Sequence, residues 1–458
     1  MMKFFLINLH FSDSYSQTIT TPPLGPGYLL AALARRGFES RYYEFSFDNS
    51  LDHLLHDIRQ FQPDLIGFSL RTHRFRDSYR VIDRVADEGI PIVLGGAHVN
   101  ANDGSILRET RATFLIRGEG EESLPLLLEH LRQPEKYPDI SGLVYRADDA
   151  VRENPPQISD ITQLLFPTFE QFDLPKYPSN IRLILSSRGC PYRCTFCQQS
   201  ALLGKKWRRR EPEDILREME YWAERGFRQI NFADDNLTLD RPRIQQLCRL
   251  IRKSTHRFYL QTSGVRIDNV DEDTLKMMKD CGFYLLSFGI ESGNDRVLRE
   301  IRKGITVAQI HRTLRTAWKL GFDLKLYFII NNRTETCADV RDSFQLARAY
   351  PIVDVRFTNL FPYPGTYDYD WIRQHGRLLY PPEEYLNNSP AYLDKPLYDG
   401  PGMTLSERVQ VIREAEREIQ RLRQRTWVDR MRKIMALLYH GNFKVVGTKV
   451  ARTLRKHY

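Results

Sequence analysis

The chain has 458 residues, 41% of them hydrophobic and 27% charged, which is enough apolar material for two or three packed domains. Six cysteines in so long a chain exclude a disulfide framework and suit a reducing, cytosolic compartment, and no run reaches the roughly 18 apolar residues needed to span a bilayer. Most of the formal charge of +9 lies between Thr426 and Tyr458, where eight Lys or Arg stand against the single Asp429, so the body of the chain is near neutral.

The opening run from Met1 to Leu9 is short and no small-residue cleavage site follows it, so it reads as a first buried strand and not as a secretory signal. Strand and helix patterns then alternate through residue 132, as in a doubly wound α/β domain. Strands are expected at Lys3–Asn8, Arg41–Phe45, Asp64–Leu70, Ile90–Leu94 and Phe114–Ile116, with helices at Gly27–Arg36, Leu51–Phe61 and Tyr79–Glu88. Gly95-Gly96 follows one strand directly and Gly118-Glu119-Gly120 another. Glycines at strand ends let backbone approach a flat or phosphate-bearing ligand, and open parallel sheets bind ligands at that edge. Tight strand-to-helix turns use the same residues.

Residues 133–180 break the pattern with many prolines and one hairpin, Gly142–Arg146 across Asp148-Asp149 to Val151, and read as a connector. A second α/β series covers residues 181–375, with strands at Arg182–Ser186, Gln229–Phe232, Arg257–Gln261, Tyr284–Phe288, Asp323–Ile330 and Val353–Phe357. In barrels of this kind the loops after the strands carry the chemistry. Here those loops hold Cys190, Cys194 and Cys197, then Asp234-Asp235-Asn236, Ser263 to Arg266, Glu291-Ser292, Asn331 to Glu335, and Pro362 to Thr366.

The three clustered cysteines are too closely spaced for all three to pair as disulfides, and soft thiolates favour iron-sulfur clusters or zinc. Three ligands from one loop fit a centre with an open position. The spacing also admits a structural zinc completed by a distant Cys or His, or three unrelated thiols. Cys248, Cys281 and Cys337 stand singly and read as ordinary buried thiols.

The segment Cys190-x-x-x-Cys194-x-Phe196-Cys197 resembles the signature of radical S-adenosylmethionine (SAM) enzymes. Phe232 to Asn236, Phe288 to Gly293 and Pro362 to Thr366 resemble later strand-end motifs of the cobalamin-associated branch. Pro22 to Gly25, Pro63 to Gly67, Val93 to His98 and Arg117 to Glu121 resemble its cobalamin-binding domain. The resemblance spans about four fifths of the chain. It implies a Rossmann-like cobalamin-binding domain over residues 1–132, a partial (β/α)6 TIM-type barrel over 181–375, and a basic, mainly helical C-terminal region over 376–458. It also implies a 4Fe-4S cluster on Cys190, Cys194 and Cys197, with one iron left to bind SAM, whose cleavage yields a 5′-deoxyadenosyl radical. SAM contacts carry over to Phe196, Asp234, Asp235, Arg266, Glu291 and Glu335. Cobalamin contacts carry over to Gly25, Ser69, Arg71, Thr72, Gly95, Gly96, Gly118, Glu119 and Gly120.

Two departures stand out. Asn331-Asn332-Arg333-Thr334-Glu335 replaces the Gly-rich turn that relatives often carry after the fifth strand, and the D-x-H-x-x-G motif that supplies a histidine to cobalt elsewhere is absent; His73 and Arg71 are the residues considered for the cobalt's lower face.

The resemblance implies methyl transfer to an unactivated carbon or phosphinate-like centre of a small-molecule or lipid-like substrate, with two SAM molecules consumed and a flavodoxin- or ferredoxin-type electron donor. A cobalamin-assisted rearrangement or cyclisation is the alternative, and a cluster-bearing electron-transfer protein the alternative from another class. Acidic and arginine residues at the other strand ends argue against the last. The N-terminal domain lacks clustered cysteines for a methylthio-transferring RNA enzyme, and no nucleic-acid-binding module is recognisable. In the tail, Trp427, Met431, Ile434, Leu438 and Leu454 interleave with basic residues, a pattern shared by helices packed on their own protein and by interfacial helices. The expected location is cytoplasmic, with peripheral contact at the inner membrane face as the alternative that the tail allows.

Overall fold

The computed structural model describes residues 2–10, 21–46, 50–102, 104–177, 179–198 and 206–439, with side chains as far as Arg425. The expected role of the basic tail, Trp427 to Tyr458, lies outside the described side chains.

The first sheet is built on β1 (Lys3–His10), whose continuous apolar run is buried on both faces, as central parallel strands require. Phe4 and Leu6 enter one core, Phe5 and Ile7 the other. Parallel strands β2 (Glu39–Ser46), β3 (Leu65–Ser69), β4 (Ile92–Gly95) and β5 (Phe114–Ile116) join it. Helices Leu24–Arg35 and Gly120–Glu129 cover one face, while Leu51–Phe61 and Phe75–Val85 cover the other. The hairpin expected in the connector belongs to this sheet. Its strand β6 (Leu143–Ala147) pairs antiparallel with β5 and its strand β7 (Ala150–Glu153) antiparallel with β6, giving the order β2-β1-β3-β4-β5-β6-β7. The first α/β unit therefore runs past residue 132, because Leu143, Val144 and Tyr145 bury their side chains in its two cores.

The rest of the connector joins the two halves. Phe172 stacks on Tyr42 at 3.9 Å between ring centres, and Phe169 stacks on Trp222 at 5.6 Å. The core on this side of the first sheet is accordingly continuous with the barrel core.

In the second half, β8 (Ile181–Ile184) is followed by a short antiparallel ladder of β9 (Ser187–Arg188) and β10 (Arg208–Arg209). Then come β11 (Gln229–Phe232), β12 (Tyr259–Thr262), β13 (Phe283–Glu291), β14 (Asp323–Ile330) and β15 (Asp354–Asn359). The six long strands are parallel and adjacent in sequence order, β8-β11-β12-β13-β14-β15, which makes an incomplete barrel. Helix Leu405–Tyr439 lies along the last edge strand. Val411, Ile412, Ala415 and Leu422 join the barrel core there, and Arg348–Glu418 and Arg341–Glu414 ion pairs hold the helix to helix Cys337–Arg348. Covering an edge strand removes a template for unwanted pairing.

Candidate cofactor site between the two sheets

Cys190, Cys194 and Cys197 lie on the excursion between β9 and β10, and no disulfide joins any of the six cysteines. The excursion is pinned on several sides. Gly189 N–H donates to Asp235 Oδ2 at 3.0 Å, Thr195 N–H to the Ile301 carbonyl at 3.0 Å, and Asp368 N–H to the Thr195 carbonyl at 3.1 Å. Burial pushes the thiols of Cys190 and Cys194 upward, and at Cys194 the nearby charges of Lys303 and Arg266 pull the other way. Among the described residues no three His, Cys, Asp or Glu side chains converge as a single-ion site. Three free thiols on one loop are a soft donor set of the kind that holds an iron-sulfur cluster or zinc.

The strand-end residues divide into those that face open space and those already engaged. Asp234 is buried and takes the hydroxyls of Ser186 and Ser187 on Oδ1 and the Ser186 N–H on Oδ2, so it ties β11 to the end of β8. Asp235 lines the inter-sheet cavity instead. Burial raises both carboxyls, opposed at Asp234 by the serine hydroxyls and at Asp235 by the Gly189 N–H. Arg266 gives Nε and Nη2 to Asp268 at 3.0 and 3.1 Å, stacks 3.5 Å over the Tyr192 ring, and holds Nη1 4.0 Å from Cys194 Sγ. Its fork, of a shape suited to a ligand carboxylate, is taken by Asp268. What it presents to the cysteine loop is charge.

Glu291 sits at the bulged end of β13 with φ +69° and accepts from Lys303 Nζ at 2.9 Å. Gly289 makes room for that pair, since a Cβ there would lie 2.7 Å from Glu291 Oε1. Phe196 packs on the cluster of Leu360, Ile372 and Tyr398. Glu335 is fully buried and accepts from Asn332 N–H at 3.0 Å, and burial raises its carboxyl to about 8. It braces the loop after β14 from within.

A cavity of about 330 Å³ opens where the carboxyl ends of the two sheets meet. Gly25, Ser69, Gly95 and Gly96 line it from the first sheet, as do Gly118, Glu119 and Gly120. Ser187, Arg188, Ala233 and Asp235 line it from the barrel. Arg71 and Thr72 are not among the lining residues, and Arg71 is exposed. The loop that carries them turns to the C-terminal region, where Arg74 N–H donates to the Asn387 carbonyl. Among the described residues, no histidine lines the cavity. His98 is buried between Phe75 and Tyr79, with Tyr79 Oη 2.8 Å from its Nε2.

The comparisons with known proteins follow this division. Residues 18–128 match the B12 binding domain family and residues 184–347 the Radical SAM superfamily. An uncharacterised methyltransferase of Pyrococcus horikoshii is 30% identical over 370 residues, which span 79% of this chain and 80% of that protein. The chain belongs to the cobalamin-dependent radical SAM enzymes. This enzyme is also 25% identical, over 76% of its own length and 77% of the relative's, to cytidylyl-2-hydroxyethylphosphonate methyltransferase of Streptomyces wedmorensis. Its fold matches that of the radical SAM methyltransferase TsrM of Kitasatospora setae with cobalamin and a [4Fe-4S] cluster bound, at TM-score 0.70 and 19% identity, over 82% of this chain and 78% of that one.

The family's cofactors are a 4Fe-4S cluster, SAM and cobalamin. The residues present fit them. A Cβ on Gly25 would meet nothing within 4 Å and one on Gly95 only the Ile116 carbonyl at 3.9 Å, so both glycines keep cavity space clear for a flat macrocycle. Lys303, Arg188 and Arg208 escaped the sequence reading. Lys303 stands in a basic turn that resembles a surface turn, and Arg188 was visible only as part of the cysteine segment.

Proposed function

We propose that this enzyme methylates an unactivated carbon, or a phosphinate-like centre, of a small-molecule or lipid-like substrate. The observation that supports this reading is the cavity itself, which the glycine-rich ends of one sheet and the loop flanks of the cysteine segment line together. When bound, the cluster and SAM supply hydrogen abstraction and cobalamin supplies the methyl group. The protein's part is to position and to exclude water.

Cys190, Cys194 and Cys197 would hold the cluster through their thiolates. Gly25 and Gly95 leave room for the corrin, while Phe4, Leu6 and Val93 make that side of the cavity apolar. Asp235 brings a half-buried carboxyl group to the seam, suited to an ammonium group. Arg266 and Lys303 set two buried positive charges beside Cys194, which favours thiolate and added electrons there. A one-electron donor of flavodoxin or ferredoxin type is the partner this chemistry calls for.

The test is anaerobic incubation of the reconstituted, reduced protein with methyl-deuterated SAM and candidate small molecules or lipids. Formation of 5′-deoxyadenosine and S-adenosylhomocysteine, with the deuterated methyl in a product carbon, is expected. Appearance of neither nucleoside product contradicts an enzymatic role, and turnover without label in product contradicts methyl transfer.

A further inference from the structure

The excursion that carries the cysteines closes at its base through the β9–β10 ladder, where Arg188 stands directly opposite Arg208. Two like charges facing each other across an antiparallel pair repel. Both guanidiniums are largely withdrawn from solvent, with 12% and 9% of their side-chain surface exposed, so water screens little of that repulsion. A single carboxylate from the other half of the molecule offsets it. Glu119 Oε2 and Oε1 take the two arms of the Arg208 fork at 2.6 and 2.7 Å, and Oε1 also lies 3.2 Å from Arg188 Nη1. Glu121 completes the set by accepting from Arg188 Nη2 at 2.7 Å.

Two members of this set, Glu119 and Arg188, also face the cavity. Glu119 lies between Gly118 and Gly120, and all three line it along with Arg188. Immediately beyond Arg188, Gly189 has φ +84° and packs so closely on the returning chain that a Cβ would fall 2.6 Å from the Lys206 carbonyl. Cys190 follows at once. One carboxylate thus links the Gly118–Gly120 turn to both ends of the cysteine excursion.

We propose that Glu119 is a positioning residue that couples occupancy of the cavity by cobalamin to the set of the cysteine loop that holds the cluster. The coupling rests on the reading of the cavity as the cobalamin site. It is reciprocal, as linkage demands: a loop ordered by its cluster holds Glu119 and the turn in place, and a filled cavity holds the base of the loop.

The test uses the full chain, cluster-free and cluster-reconstituted, each titrated with hydroxocobalamin under anaerobic conditions by equilibrium dialysis. Wild type is expected to bind hydroxocobalamin at least about fivefold more tightly with the cluster in place. Glu119→Gln and Arg208→Gln, each removing half of the staple, are expected to bring the ratio below about twofold while still taking up iron. If Glu119→Gln does not fold, Arg208→Gln carries the test alone. Glu129→Gln, which cuts an exposed 2.8 Å pair with Arg36 at the far end of the helix after Glu119, should keep the full ratio. An undiminished ratio in the staple variants overturns the proposal, as does a wild type that binds both cofactors independently. A wild type that takes up iron yet binds no hydroxocobalamin overturns instead the reading of the cavity.

Discussion

Lys303 Nζ donates to Glu291 Oε1 across 2.9 Å, and both side chains are buried next to the loop of Cys194. Removing one member leaves the other as an uncompensated buried charge. Lys303→Met is therefore expected to cost about 3–5 kcal/mol in unfolding free energy, read by urea denaturation of the cluster-free protein. Lys303→Arg, which keeps the charge, should lose much less.

Two glycines at the cavity make opposite predictions. Gly25 has open space where its Cβ would be, so Gly25→Val should fold with a melting temperature close to wild type yet weaken cobalamin binding by more than about tenfold. Gly96 has φ +98° and a Cβ there would lie 2.7 Å from the Leu70 carbonyl. Gly96→Ala should destabilise the fold itself, by about 1–3 kcal/mol in chemical denaturation.

Burial raises the Glu335 carboxyl to about 8. Its folded value thus exceeds that in the unfolded chain, about 4.3, and folding above that pH requires proton uptake. The stabilising contribution is fully present below the unfolded value and is lost as pH rises through 8. Glu335→Gln, which mimics the protonated acid, should flatten the decline in stability between pH 5 and 8, with the variant gaining on wild type at the alkaline end. Denaturation curves at both pH values check this.

His98 works in the other direction. Burial lowers its imidazole to about 4, below the unfolded value of about 6.5, so its contribution is present above pH 6.5 and is lost as pH falls toward 4. His98→Gln should reduce the acid-side slope of the unfolding free energy, measured from pH 7 to 4.

The strands and the loops after them were legible because parallel strands buried on both faces leave apolar runs that end abruptly in polar residues. Gln229–Phe232 and Asp323–Ile330 have the boundaries expected from sequence. The division of labour within a loop was not legible. Asp234 and Asp235 are chemically identical neighbours, and only the hydroxyls of Ser186 and Ser187, far away in sequence, decide which one turns inward. Glu119 likewise occupies a turn that resembles a ligand loop, yet its carboxylate is taken by arginines about 70 and 90 positions further on. The hairpin of β6 and β7 shows the same limit. Its turn is local, with φ above zero at Asp148 and Asp149, but its pairing with β5 is not.

In the proposed arrangement, one cavity between the two sheets brings cobalamin to face the cysteine loop. Determining the structure of the enzyme reconstituted anaerobically with iron, sulfide, hydroxocobalamin and SAM tests it most directly. A corrin ring against Gly25, Gly95 and Gly96 is expected, with its other face toward Asp235 and a cluster on Cys190, Cys194 and Cys197. A corrin bound elsewhere, or a cluster on other ligands, contradicts it.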